Sequence, residues 1–341
     1  MSARVEVAVV GATGYAGAEL VRLLAGHPDV EIGALYARER EGLPLAAEFP
    51  HLAPLGLTLH AGMPAPGIDV AFLALPAGHS AELAVRLAAG GTTVIDVGAD
   101  LRLRDPAAYP TWYGFEHPAP HALAEAVYGL PELVRDRLPG AHLIANPGCY
   151  PTAALLALAP LAAAGVLEDE VIVDAKSGVS GAGRGVGQEF LFTELEGSTK
   201  PYGIGGHRHT PEITQGLLDA GAEKPAVTFV PHLVPQARGI IATCYARLND
   251  DQSPEALTAT FAAAYAESPF VHLLDAPPSS KLASGTNHAF LHVARVGPRR
   301  AVVVAAIDNL GKGAAGQAIQ NMNLALGLPE TAGLGALAVY P

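Results

Sequence analysis

Apolar residues fall along this chain in two rhythms. In the first, short and almost continuously apolar runs alternate with stretches of helical period. Val5 to Val10, Val30 to Tyr36, Val70 to Leu75, Thr93 to Val97 and His142 to Ala145 read as strands, and Ala18 to Ala25 and Ser80 to Ala89 as helices. Strands apolar throughout suit a parallel sheet covered on both faces, and their alternation with helices predicts an α/β layer arrangement. The second rhythm opens with the Ala/Leu-rich run Thr152 to Ala164, read as a helix, and the strand Val171 to Ala175. Lys176 to His209 follows, irregular and glycine-rich, with a weak helical pattern near Val186 to Leu195. Four apolar runs, Val227 to Val234, Gly239 to Leu248, His288 to Val296 and Ala301 to Ile307, then predict a mostly antiparallel sheet before a last helix, Ala314 to Leu326.

The change of rhythm divides the chain into a nucleotide-binding domain over 1–148, completed by a C-terminal helix 313–341, and a catalytic and oligomerisation domain over 149–312. With 341 residues, half of them hydrophobic, two such domains can each bury a core. A net charge of -12 without a basic stripe argues against nucleic acid as a partner. No run approaches the ~20 apolar residues of a membrane span, and the N-terminus leads straight into a strand, so a soluble, cytoplasmic protein is expected. Two cysteines without metal-ligand spacing fit a reducing compartment and indicate no metal site.

Chemistry is concentrated in a few segments. Gly11, Thr13, Gly14, Tyr15, Ala16 and Gly17 form a glycine turn between a strand and a helix, the context in which backbone can approach a pyrophosphate lying on a helix N-terminus. After the second strand, where an Asp or Glu would select NAD, the chain reads Tyr36-Ala37-Arg38-Glu39-Arg40. Arginines there suit the 2′-phosphate of NADP. Pro76, in Leu75-Pro76-Ala77-Gly78, follows a strand at the cofactor-binding edge of such sheets. Asn146-Pro147-Gly148-Cys149-Tyr150-Pro151 puts one cysteine at a helix start, where the macrodipole and unpaired N–H groups lower a thiol pKa and stabilise an oxyanion. Arg184, in Ser177-Gly178-Val179-Ser180-Gly181-Ala182-Gly183-Arg184, can clamp a phosphate or carboxylate. His207 and His209 flank an arginine in Gly206-His207-Arg208-His209-Thr210-Pro211, with Thr210 expected as N-cap and Pro211 as the first helical residue. In Asp308-Asn309-Leu310-Gly311-Lys312-Gly313, Asn309 can meet a cofactor amide and Lys312 an anion.

Taken together, GATGYAGAEL, NPGCYPTA, SGVSGAGR, GGHRHTPEI and DNLGKGAAGQAIQNMN resemble the N-acetyl-γ-glutamyl-phosphate reductase family of the semialdehyde dehydrogenase superfamily, in order from about Val5 to Met322. The resemblance implies a Rossmann-like NADP-binding domain plus an α+β, glyceraldehyde-phosphate-dehydrogenase-like catalytic domain in a homotetramer or homodimer. It further implies reduction of an acyl phosphate by NADP(H) in arginine biosynthesis, with Cys149 as nucleophile and His209, or else His207, as acid/base. Arg184 and Arg102 would hold substrate anion near Asn146, and Ser177 and Gly178 would lie by the nicotinamide. Ala37 departs from the pattern, since a serine or threonine commonly helps hold the 2′-phosphate, which leaves NADP preference on Arg38. Aspartate-semialdehyde dehydrogenase, a carrier-linked α-aminoadipyl-phosphate reductase and a non-catalytic NADP-binding regulator are the alternatives.

Overall fold

The computed structural model describes residues 4–38 and 40–340. The chain folds as two compact units: the chain up to Pro147 with Ala314–Ala336, and Gly148–Gly313 with the chain from Leu337.

Unit 1 is built on seven strands, β1 (Val5–Val10), β2 (Val30–Tyr36), β3 (Leu59–His60), β4 (Val70–Leu73), β5 (Thr93–Asp96), β6 (Val127–Tyr128) and β7 (Leu143–Ala145). They pair in the order β3-β2-β1-β4-β5-β7-β6, every pair parallel. Val7, Ala8, Val9 and all of β4 are fully buried, as a sheet covered on both faces requires. Strand order reverses at β1, with β2 on one side and β4 on the other, so the carboxyl ends of these strands form the crevice where such sheets take ligands. The helix Tyr15–Leu24 leaves β1 through the glycine turn.

The last helix of unit 1 is shorter than the sequence suggests. It spans Gly316–Ala325, follows a π-helical turn at Gly311–Ala315, and ends before Gly327, whose positive φ of 68° and the following Pro329 stop it. The 313–341 segment is therefore no continuous helix, and its end from Leu337 groups with unit 2. Buried amide side chains fix this helix in place. Asn321 Nδ2 donates to the Gly129 carbonyl at 2.8 Å, and Asn323 Oδ1 lies 3.0 Å from His27 Nε2.

Unit 2 carries β8 (Leu167–Ser177), β9 (Lys200–Pro201), β10 (Ala226–Leu233), β11 (Ile240–Leu248), β12 (Val271–Leu273), β13 (Ala289–Gly297) and β14 (Arg300–Ile307), paired β12-β13-β14-β11-β8-β10-β9. The middle of this sheet is antiparallel, as expected, but β8·β10 and β12·β13 run parallel. One face is closed by the helix Cys149–Ala163, apolar but for Thr152 near its start, and the neighbouring helix His209–Asp219. Ala242, Cys244, Val303 and Ala305 lie buried on that side of the strands. On the other face Tyr245 of β11 stands directly between Ile172 of β8 and Val302 of β14, with Tyr245 44% and Ile172 38% exposed.

Candidate active site

In unit 2 the cysteine helix starts at Cys149 itself, three residues before the point the apolar run suggested, with Gly148 as N-cap in extended conformation. Pro151 occupies its third position, where a missing N–H costs nothing. Thr152 donates from both its N–H and its hydroxyl to the Gly148 carbonyl, each at 2.9 Å. Cys149 thus holds its sulfur at the positive end of a 15-residue helix, where negative charge is stabilised, and it is half-buried, whereas Cys244 is wholly buried with its thiol pushed far up by desolvation.

Glu212, which carries no motif of its own, is completely buried, and its Oε1 accepts the Gly148 N–H at 2.7 Å. It lies one turn along from His209, so helical spacing puts both on the same face. Sequence reasoning missed it, although the i, i+3 spacing in His209-Thr210-Pro211-Glu212 was the available signal.

The histidine helix spans His209–Asp219, so Thr210 is its second residue and not the N-cap. Capping falls instead to the His207 ring, whose Nδ1 accepts the His209 N–H at 3.1 Å. Around it stands an aromatic cluster. The His207 and His209 rings are 4.9 Å apart, each is within 6 Å of the Tyr150 ring, and Phe229 and Tyr202 close on His207 at 5.1 and 5.5 Å. Burial, helped by the Arg208 charge, lowers the His207 pKa from 6.5 to about 4, so this imidazole is neutral, with its accepting Nδ1 already engaged. His209, 7% exposed, lies on the helix beside Tyr150, the residue next to Cys149.

Other residues expected around substrate and nicotinamide differ in how far the fold has already engaged them. Ser177 ends β8 buried, its hydroxyl donating to the Gly178 carbonyl, and Gly178 packs so closely that a Cβ would lie 2.8 Å from the Ala237–Arg238 backbone. Asn309 uses both ends of its amide within unit 2: Oδ1 accepts the Gly239 N–H at 2.8 Å and Nδ2 donates to Ser180 Oγ at 2.9 Å. Lys312 is fully buried, its ammonium 5.9 Å from the centre of the Phe270 ring. Arg184 is exposed on its glycine-rich segment.

Unit 1 carries the expected nucleotide turn at the crevice edge. Gly11, with φ +87°, and Ala12 donate to the Tyr36 carbonyl at the end of β2. A Cβ at Gly11 would stand 2.3 Å from the Ala74 carbonyl, and one at Gly17 2.2 Å from the Gly11 carbonyl, so only glycine permits this packing. Gly14 is the N-cap of Tyr15–Leu24, and the N–H groups of Tyr15, Ala16 and Gly17 precede the first acceptor inside the helix. Thr13 lies in the same turn, and Pro76 is exposed beyond the neighbouring β4. Beyond β2, Arg40 is tied to Glu48 at 2.6 Å, while Arg38 stands exposed. This is a fit for a dinucleotide: glycines where backbone must come close, a helix start for phosphate and a guanidinium where a 2′-phosphate would fall.

Asn146 and Arg102, also in unit 1, are engaged in holding the fold. Arg102 is buried and donates through Nε to the Asn146 carbonyl and through Nη2 to the Val97 carbonyl, both at 2.9 Å. Asn146 Nδ2 donates to the Ala314 carbonyl and its Oδ1 accepts from Asn321. Nearby Asp96, completely buried, has its pKa raised from 3.8 to about 7 by desolvation and by the Asp100 charge, against the pull of Arg102.

Residues 6–141 match the model of the semialdehyde dehydrogenase NAD binding domain and residues 149–309 that of the semialdehyde dehydrogenase dimerisation domain. An N-acetyl-γ-glutamyl-phosphate reductase of Symbiobacterium thermophilum is 50% identical, with 99% of each chain covered, and one of Dehalococcoides mccartyi is 48% identical, with 98% of each covered. The chain belongs to the N-acetyl-γ-glutamyl-phosphate reductase family. Solved semialdehyde dehydrogenases share its fold at low identity. Aspartate semialdehyde dehydrogenase II of Vibrio cholerae, complexed with ASA, has a TM-score of 0.71 at 17% identity over 95% of this chain and 98% of that one. The Candida albicans aspartate semialdehyde dehydrogenase with NADP has a TM-score of 0.69 at 17% identity, covering 94% and 98%. The separation between these identities places the family with the first pair and leaves the second as likeness of fold. No described helix is long and apolar enough to cross a membrane.

Proposed function

We propose that this chain reduces N-acetyl-γ-glutamyl phosphate to N-acetylglutamate 5-semialdehyde and inorganic phosphate through a thioester on Cys149. The observation that carries it is Cys149 as the first residue of the helix Cys149–Ala163, pinned from behind by Glu212 and adjoining the two-histidine cluster through Tyr150. The Cys149 thiolate attacks the acyl carbon, the carbon–oxygen bond to the phosphoryl group breaks, and phosphate leaves with the electron pair. The backbone N–H at the helix start steadies the oxyanion of each tetrahedral stage. NADPH, when bound, supplies the hydride that reduces the thioester carbon. His209 delivers the one proton that the anionic hydride adduct on Cys149 takes up as it collapses to aldehyde and thiol. The neutral His207 supports this division of labour, because an imidazole held near pKa 4 is a poor proton donor at neutral pH. Arg184 is the substrate anion clamp, and the buried Arg102 and Asn146 act by shaping the chain that leads to Cys149. The glycine turn, Pro76 and Arg38 hold NADP, with Ser177, Gly178, Asn309 and Lys312 shaping the protein around the nicotinamide end.

The catalytic domain reading over 149–312 includes self-association, to a homodimer or homotetramer, across the open face of the unit 2 sheet.

The test is NADP reduction by purified protein given N-acetylglutamate semialdehyde and phosphate, beside the aspartate and aminoadipate analogues. Turnover highest with N-acetylglutamate semialdehyde is expected, and a preference for either analogue would replace the substrate. Cys149→Ser is expected to abolish turnover and leave NADPH binding nearly unchanged, while Cys244→Ser keeps activity. An active Cys149→Ser enzyme would remove the thioester.

A further inference from the structure

The turn Asp308–Gly313 packs against Cys149. A Cβ at Gly313 would lie 2.8 Å from the Cys149 Cβ, closer than Cβ atoms come to other atoms, and 3.2 Å from its Cα. Gly313 has no positive φ, and glycine is a poor helix residue, so conformation alone gives no reason for glycine here. The close approach does.

The turn is also unable to retreat. At its other flank a Cβ at Gly311 would stand 1.9 Å from the Thr286 carbonyl. The buried Asp308 carboxylate accepts the Leu310 and Gly311 N–H groups at 2.8 and 3.2 Å and pairs with Arg238 at 3.0 Å, and the Asp308 carbonyl accepts the Gly313 N–H at 2.9 Å. This last bond, five residues apart, is the π-type bond that brings Gly313 inward, and such turns recur at functional sites. With Glu212 holding Gly148 on one side, Cys149 is gripped between two buried supports.

We infer that Gly313 is a positioning residue: the Asp308-anchored turn is a rigid stop that sets where the Cys149 sulfur sits, with glycine there because any side chain would displace the nucleophile. The inference rests on Cys149 as nucleophile.

Gly313→Ala is expected to lower kcat by about 10²-fold, the cost of an ångström-scale misplacement, with NADPH affinity within twofold of wild type. It is also expected to displace the pH profile of Cys149 alkylation by iodoacetamide, a readout that needs no substrate and is clean because Cys244 is wholly buried. Gly297→Ala, with nothing within 4 Å of the added methyl group, is the control and should match wild type. Wild-type kcat and alkylation profile in a folded Gly313→Ala would overturn the inference. If that variant does not fold, Asp308→Asn, which loosens the stop without adding atoms beside Cys149, must displace the alkylation profile in its place. An unchanged profile there overturns it equally. Failure of the substrate assignment would show separately, as absent wild-type turnover with the alkylation differences intact.

Discussion

His207 and His209 differ by one peptide neighbour in sequence and by role in space. Because His207 Nδ1 accepts the His209 N–H and burial keeps its ring neutral, it serves as a cap and wall, and removing it disturbs placement more than proton transfer. His209→Asn should lower kcat by ~10²- to 10⁴-fold with little change in KM. His207→Asn should chiefly raise KM, and a larger kcat loss for it would exchange the two roles. At the cofactor, Arg40 is bound to Glu48 while Arg38 is exposed, which is why Arg38 is the guanidinium proposed to select the 2′-phosphate. Arg38→Ala should weaken NADPH by roughly 1.5 to 3 kcal/mol and leave NADH nearly untouched in titrations of both, because only NADPH loses a charged hydrogen bond. Equal losses would make Arg38 structural. These residues stood out as candidates in the sequence because their chemistry is local: a cysteine after a Pro-Gly turn, histidines around an arginine, an arginine where an acid is expected. Glu212 was not, because its partner is the backbone of a residue 64 positions away. Nor was the engagement of Asn146 and Asn309, since nothing in a sequence tells an amide facing a ligand from one bonded at both ends to the protein.

At the scale of elements, the apolar runs located β1 and β2 to the residue and β10, β11, β13 and β14 to within one residue, because burial on one or both faces writes itself into every position. β8 was read only over its middle, Val171 to Ala175, since Glu168, Asp169 and Glu170 near its start are charged. Two-residue strands such as β3 and β9 carry too little pattern to read, and the C-terminal helix packs with amides where apolar residues were sought. The same contrast holds at β5, whose last residue, Asp96, is an acid at the buried edge of an apolar strand. Its pKa is raised, so the stability contributed by the protonated carboxyl is complete below 3.8 and is lost as pH rises through about 7. Asp96→Asn keeps an acceptor for the Gly98 N–H, bonded at 2.9 Å, and does not titrate. Its Tm should therefore exceed that of wild type by more at pH 8 than at pH 5. A difference in Tm that is flat across this range would mean Asp96 is ionised in the folded protein.

The whole molecule adds what neither residues nor elements carry. The stripe formed by Ile172, Tyr245 and Val302 crosses three strands in register on the face opposite the Cys149 helix, where Tyr245 and Ile172 are exposed. Tyr245→Asp puts a charge at its centre. Wild-type protein should sediment as a dimer or larger, and the variant as a smaller species with unchanged far-UV circular dichroism. An unchanged sedimentation coefficient would move the interface elsewhere. Chain order has a consequence of its own for biogenesis. The helix Gly316–Ala325 contributes to unit 1 through bonds such as His27 to Asn323, 296 residues apart, while most of unit 2 lies between them. A ribosome making this chain releases all seven strands of the first sheet, then the material of the second, and only then the helix that completes unit 1. The nucleotide-binding half must wait, its strands complete but the seat of that helix uncovered and open to chaperones or to wrong partners, until the final helix has been synthesised.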